Sequence, residues 1–157
     1  MTYEAGSTMN EHKRRILIVD DDKAILKSLG DYLAMKGYSV ETAKTGKEAI
    51  EKSKSQFFNL AVLDIKLPDI EGTDLLTKIH ETEPRMIRIM LTGFPNMRNA
   101  VESLNERADA YVIKPVEPEK LLKLVEQKLG EQDRELKMDK DKLIKYIESR
   151  DKEFENK

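Results

Sequence analysis

Between residues 14 and 130, short apolar runs alternate with stretches whose apolar residues recur at helical spacing. Five runs read as strands: Ile16–Asp20, Tyr38–Ala43, Asn59–Asp64, Met86–Leu91 and Ala110–Ile113. Four of them are almost continuously apolar, the pattern of strands buried on both faces. The second mixes in Ser39, Glu41 and Thr42, which predicts a place nearer an edge. Helical spacing appears in Ile25, Leu26, Leu29 and Leu33, in Leu75, Leu76 and Ile79, in Met97, Ala100, Val101 and Leu104, and in Leu121, Leu122, Val125 and Leu129. Ala49 and Ile50 mark a weaker helix after Gly46. Repeated βα units with right-handed crossovers predict an open, doubly wound parallel sheet with helices on both faces. Such folds bind ligands at the carboxyl ends of their strands.

The pattern changes after Gly130. Of the 27 residues from 131 to 157, 17 are charged, which predicts no second domain. Asp133/Lys137, Asp141/Lys145, Glu148/Lys152 and Glu153/Lys157 are acid-before-base pairs four apart, each contributing roughly 0.2–0.5 kcal/mol to a helix. Leu122, Leu129, Leu136 and Leu143 repeat every seven residues, but the positions four further on are Glu126, Asp133, Lys140 and Ile147. Only the last completes an apolar seam, so a frayed, solvated helix is expected before a coiled coil. The organisation expected is a polar leader (1–13), one domain (14–130) and a charged helical tail or linker (131–157).

Composition narrows the chemistry. With 28 Lys+Arg against 30 Asp+Glu, the net charge of −2 provides no basic field for nucleic acid and no polybasic membrane signal. The absence of cysteine excludes disulfides, thiolate nucleophiles and cysteine-held metals. No apolar stretch approaches the roughly 20 residues of a membrane span, and the leader lacks the apolar core of a secretory signal. A cytoplasmic protein is the default. His12 and His80 read as surface residues, and Lys13-Arg14-Arg15 is too short a run to argue nucleic-acid binding.

The candidate chemistry lies at the strand ends. Asp20-Asp21-Asp22 close the first strand. One aspartate there is explained as the cap of the following helix, and the other two are not. Converging carboxylates repel unless a cation lies between them, which points to a hard-metal site. Asp64 closes the third strand, but the next helix begins only near Gly72, so capping does not explain it. It is a candidate nucleophile or metal ligand, the alternative being a carboxylate paired with a nearby lysine. The fourth strand ends in Leu91-Thr92-Gly93 and the fifth in Ile113-Lys114-Pro115. A hydroxyl and an ammonium beside a metal are the groups that stabilise a transferring phosphoryl.

This constellation resembles the receiver domain of two-component response regulators. The likeness rests on Ile16-Leu17-Ile18-Val19-Asp20-Asp21-Asp22, Leu63-Asp64-Ile65-Lys66-Leu67-Pro68-Asp69-Ile70-Glu71-Gly72, Leu91-Thr92-Gly93 and Ala110-Tyr111-Val112-Ile113-Lys114-Pro115, in the family's order and spacing. The resemblance implies a flavodoxin-like (βα)5 fold with strand order 2-1-3-4-5, carrying here a charged C-terminal helical extension. It implies Asp64 as phosphoacceptor and Asp20 and Asp21 as the acidic pair for Mg²⁺, joined by Asp64 and the main-chain carbonyl of Lys66. Thr92 would be the switch hydroxyl, Lys114 the contact to the phosphoryl group, and Tyr111 the rotating aromatic. Asp22 reverts to a helix cap, and the Lys114–Pro115 bond is expected to be cis. Lys66 and Phe94 occupy positions expected to modulate the lifetime of the phosphoryl group, Phe94 by shielding it from water.

A sensor histidine kinase would donate the phosphoryl group. The altered face of the fourth helix, fifth strand and fifth helix would meet an unknown protein target, with no nucleic acid or membrane engaged directly. A monomer is expected, or a weak homodimer through that face or the C-terminal helix. The chain would not be an enzyme beyond its own phosphorylation and dephosphorylation. Three other readings stay open. One is an Mg²⁺-dependent phosphatase with an aspartate nucleophile, though Lys66 stands where such enzymes carry a second aspartate. Another is an inactive receiver serving as a binding module, although no acceptor or metal residue is missing. The last is a regulator whose effector domain lies outside this sequence.

Overall fold

The computed structural model describes residues 13–93 and 108–155, with side chains to 151. Its elements are β1 (Arg15–Val19), α1 (Lys23–Met35), β2 (Ser39–Ala43), α2 (Gly46–Ser55), β3 (Leu60–Asp64), α3 (Gly72–Thr82), β4 (Ile87–Thr92), β5 (Ala110–Ile113) and α4 (Pro118–Glu155). The strands form one parallel sheet in the order β2-β1-β3-β4-β5. The helix expected around Met97–Leu104 and the residue Phe94 lie outside the described residues.

Alternation along the strands divides the core in two. Leu17, Val19, Ala61, Leu63 and Met90 face α2 and α3 and pack with Phe58, Leu75, Leu76 and Ile79. Ile16, Ile18, Leu60, Val62, Ile89 and Leu91 face the other way, onto Leu26, Leu29 and Leu33 of α1 and Leu121, Val125 and Leu129 of α4. Because both faces are covered, β1, β3 and β4 carry apolar residues at every position that the core needs. The polar β2 is an edge strand, as its pattern predicts. β5 takes the edge place that the order 2-1-3-4-5 implies, but departs from its apolar pattern, which reads as a strand buried on both faces. It is apolar but occupies the opposite edge, half-buried, with Ile113 exposed, because it pairs only with β4.

Two glycines shape the chain near the site. Gly37 sits at φ +104°, where an L side chain is strained, and lets Tyr38 N–H bond back to the Leu33 carbonyl, ending α1. At Gly72 a Cβ would lie 2.5 Å from Ile65 Cα and 2.6 Å from its carbonyl oxygen. The loop after β3 therefore folds directly onto the start of α3, closed by the Gly72 N–H bond to Ile65 O (2.9 Å).

α4 runs unbroken through Gly130 for 38 residues. Gln132 is buried at the foot of the sheet, where Nε2 donates to the carbonyls of Asn59 (3.2 Å) and Arg85 (3.0 Å). Arg14 pairs with Asp133, and Arg85 with Asp139 at 3.1 Å, so attachment to the domain continues past Gly130. No helix among the described residues is long and apolar enough to cross a membrane.

Candidate functional site

Register brings the acidic residues together. Val19 pairs with Leu63, so Asp20 and Asp64 stand level one residue further on, where the chain leaves the sheet. Asp20, Asp21 and Asp64 each offer a carboxylate oxygen within 4.8 Å of the others. Asp20 and Asp64 are buried, whereas Asp21 is exposed and forms the outer wall. Hard oxygen donors at this spacing suit a small divalent cation that keeps some of its water, so the residues fit Mg²⁺.

Local hydrogen bonds fix each carboxylate. Asp20 Oδ1 accepts from the Asp22 N–H (2.9 Å) and Asp64 Oδ1 from the Lys66 N–H (3.0 Å). Asp22 itself caps α1, accepting from the N–H groups of Ala24 (2.9 Å) and Ile25 (3.3 Å). Lys114 reaches over the site from the end of β5, with Nζ 2.9 Å from Asp20 Oδ2 and 3.3 Å from Asp64 Oδ2. Its N–H donates to the Thr92 carbonyl (2.6 Å), which holds the ends of β4 and β5 side by side. The Lys114–Pro115 peptide is cis.

These contacts set the protonation balance. Burial pushes the Asp64 carboxyl above the usual carboxylate range; the Lys66 N–H opposes the rise, the Asp20 charge adds to it, and Lys114 opposes it. For Lys114 burial disfavours the cation, but Asp20 and Asp64 outweigh it and raise the ammonium above its ordinary value. The lysine is therefore a fixed positive charge between two buried acids.

Thr92 is buried at the end of β4. Tyr111, on β5, packs against the core on the α2/α3 side, and its hydroxyl is buried with no hydrogen-bond partner among the described residues. Lys66 lies in the loop after β3, bridged to Glu71. His80 is half-buried rather than a surface residue.

Asp69 is a functional candidate that sequence reasoning passed over. Its Oδ1 accepts from Gly46 N–H (2.8 Å) and its Oδ2 from Lys47 N–H (2.9 Å), so the loop after β3 caps α2. Those two bonds hold its carboxyl below the usual range. The loop carrying Lys66 is thus pinned at both ends, by Gly72 and by Asp69.

Comparisons with known proteins agree with this geometry. The chain is 36% identical over 108 residues to the response regulator MprA of Mycolicibacterium vanbaalenii, covering 69% of this chain and 47% of that protein. It is 32% identical over 131 residues to the acid tolerance regulatory protein ActR of Sinorhizobium medicae, covering 83% and 68%. The crystal structure of a CheY-like response regulator receiver domain protein from Methanospirillum hungatei matches with 53% identity and a TM-score of 0.76, over 78% of this chain and 98% of that one. The response regulator receiver domain family model matches residues 16–126, and with its sheet order and converging strand ends the chain belongs to that family.

Proposed function

We propose that this protein is a phosphoacceptor switch in which Asp64 takes a phosphoryl group from a sensor histidine kinase. One observation carries the reading: Lys114 spans two buried carboxylates, Asp20 and Asp64, with Asp21 completing a three-carboxylate cluster. An oxygen of Asp64 attacks phosphorus, the bond from phosphorus to the kinase imidazole breaks, and the products are an aspartyl phosphate and a free histidine. Mg²⁺, when bound by Asp20, Asp21, Asp64 and the Lys66 carbonyl, supplies charge neutralisation for the phosphoryl oxygens. Lys114 then exchanges its contact with Asp64 for the phosphoryl group, and the Thr92 hydroxyl donates to another of its oxygens.

The switch follows from the same residues. When Thr92 turns towards the phosphoryl group it vacates space beside Tyr111, whose hydroxyl is buried without a partner among the described residues, which supports an aromatic able to take more than one position. The surface altered is that of β5 and α4, and it meets a downstream protein. Lys66 and Phe94 set the lifetime of the acyl phosphate. The working unit is residues 14–130, it operates in the cytoplasm, and it self-associates weakly through that face or through α4. The phosphatase reading gains nothing from the structure, since Lys66 presents its main chain to Asp64 and carries no acid.

Labelling with acetyl phosphate and Mg²⁺ tests the assignment. Wild type is expected to accumulate an acid-stable, alkali-labile phosphoryl group that Asp64→Ala does not acquire, and Asp21→Ala should need far more Mg²⁺. Equal labelling of wild type and Asp64→Ala would end the proposal.

A further inference from the structure

The start of α2 carries a cap of its own. Thr45 Oγ1 accepts from the Glu48 N–H (3.1 Å), and Glu48 Oε2 reaches back to the Lys44 N–H (3.4 Å), in the manner of a capping box. Asp69 comes to this helix from the loop after β3 and takes the two N–H groups left over, those of Gly46 (2.8 Å) and Lys47 (2.9 Å). Gly46 makes the approach possible, since a Cβ there would lie 2.1 Å from Ile70 Cγ2 and 3.3 Å from Ile70 Cβ. Ile70 in turn packs against the core, so an apolar side chain and a carboxylate together seat the loop on α2. A helix start with its own cap forms without Asp69, so what the clasp adds is a fixed position for the loop.

That loop completes the acidic site. The sheet itself sets Val19 against Leu63 and so fixes the strand ends that carry Asp20 and Asp64. Lys66 stands beyond the sheet and is exposed, so its place depends on the loop. The Gly72 N–H bond to Ile65 O closes the base of the loop, and the freedom that remains is a swing of its tip, where Asp69 sits three residues past Lys66. Asp69 also closes a ring of contacts around the site. The Asp20 N–H donates to the Ala43 carbonyl (3.1 Å), three residues before Gly46; Gly46 holds Asp69, and the Lys66 N–H holds Asp64 Oδ1 (3.0 Å).

We propose that Asp69 is a positioning residue for the metal: by gripping α2 it keeps Lys66 where the carbonyl serves the cation and the N–H orients Asp64. It acts from outside the three-carboxylate cluster. Mg²⁺ tolerates little departure from octahedral geometry, so a carbonyl on a loosened loop is a ligand lost. The inference rests on the metal-holding part of the proposed function.

Calorimetric titration of the full chain with Mg²⁺ alone, beside hydrogen exchange of the Lys66 N–H in metal-free protein, tests the proposal. Asp69→Ala should weaken Mg²⁺ binding roughly tenfold, the low end of what is lost with a residue that orients a metal's ligands, and should speed Lys66 exchange. Asp69→Asn keeps an acceptor for α2 without the charge and should recover part of both. Gln132→Ala, which loosens the foot of the sheet, controls for lost stability and should bind Mg²⁺ as wild type does. The proposal is overturned by an Asp69→Ala protein that binds Mg²⁺ as tightly as wild type or exchanges Lys66 no faster. It is equally overturned if Asp69→Asn does no better than Asp69→Ala, since the carboxylate would then act by charge alone, or if Gln132→Ala weakens binding as much. A wild type that binds no Mg²⁺ ends the metal part of the proposed function together with this inference, whereas equal binding by wild type and Asp69→Ala ends the inference alone.

Discussion

Replacing Gly72 by alanine should disturb stability and metal binding together, because one glycine sets both. The added Cβ would stand 2.5 Å from Ile65 Cα, 2.6 Å from its carbonyl oxygen and 2.9 Å from its carbonyl carbon. Ordinary carbon–carbon contact is about 3.5–4.0 Å, so the loop must retreat by roughly 1 Å. Its atoms are backbone and cannot rotate aside. Ile65 is further tethered by its own N–H bond to Leu91 O (2.9 Å), which limits relaxation. Overpacking of this kind costs about 1–3 kcal/mol, and losing the Gly72 N–H bond to Ile65 O adds about 1 kcal/mol. Alanine recovers up to about 1 kcal/mol of helix propensity at the start of α3. The net loss of about 1–3 kcal/mol corresponds to a fall in Tm of roughly 3–10 °C for a chain of this size. Moving Ile65 also moves Lys66, whose N–H orients Asp64. Mg²⁺ affinity by titration calorimetry should therefore fall several-fold. Gly93→Ala is the control, since no atom of the described residues lies within 4 Å of its Cβ position. A Gly72→Ala protein that melts within a degree of wild type and binds Mg²⁺ equally well would refute the reasoning.

Asp64→Asn should raise stability at neutral pH in the absence of Mg²⁺. Because the folded carboxyl lies above its unfolded value, its contribution is present below about pH 3.9 and is lost as pH rises through the folded value. Thermal melts should show the variant's advantage vanish in acid and reverse once Mg²⁺ is added; an advantage independent of pH would contradict this. Asp69→Ala should cost about 1 kcal/mol by removing the anion from the start of α2. Since that carboxyl is lowered in the fold, the gap between variant and wild type should be full above about pH 3.9 and close as pH falls below it, as urea unfolding across pH would reveal. Gln132→Ala should lose about 1–2 kcal/mol in urea unfolding, since it strips two carbonyls of a buried donor, although Asn59 O keeps its bond from Ile87 N–H. A midpoint equal to that of wild type would show that the foot of α4 is not held there.

The sheet and the site were legible in the sequence for different reasons. β1, β3 and β4 are buried on both faces, so each left an almost continuous apolar run, broken in β4 only by Arg88, too short for a helix and free of its 3.6-residue spacing. β5 has the same kind of run, yet its four residues sit at an edge, and nothing in so short a segment separates an edge strand from a central one. The order β2-β1-β3-β4-β5 came from resemblance, because right-handed crossovers alone permit other arrangements.

Asp20 and Asp64 stood out because they violate the economy of folding. Each is a carboxylate carried into the interior by an apolar strand, with no helix end that needs it. Repulsion between them is tolerated only because Lys114 arrives from a strand 50 residues beyond Asp64, which no local window contains. Asp69 and Gln132 were missed for the converse reason. An aspartate after proline is an ordinary turn residue, and a glutamine among charges is an ordinary solvated one, so local rules already account for both. Their partners lie 23 and 73 residues away, at Gly46 and Asn59, and only the folded chain joins them. Residues that break local rules announce chemistry in the sequence, whereas residues that hold the chemistry in place obey those rules and become visible only through the distant backbone they bind.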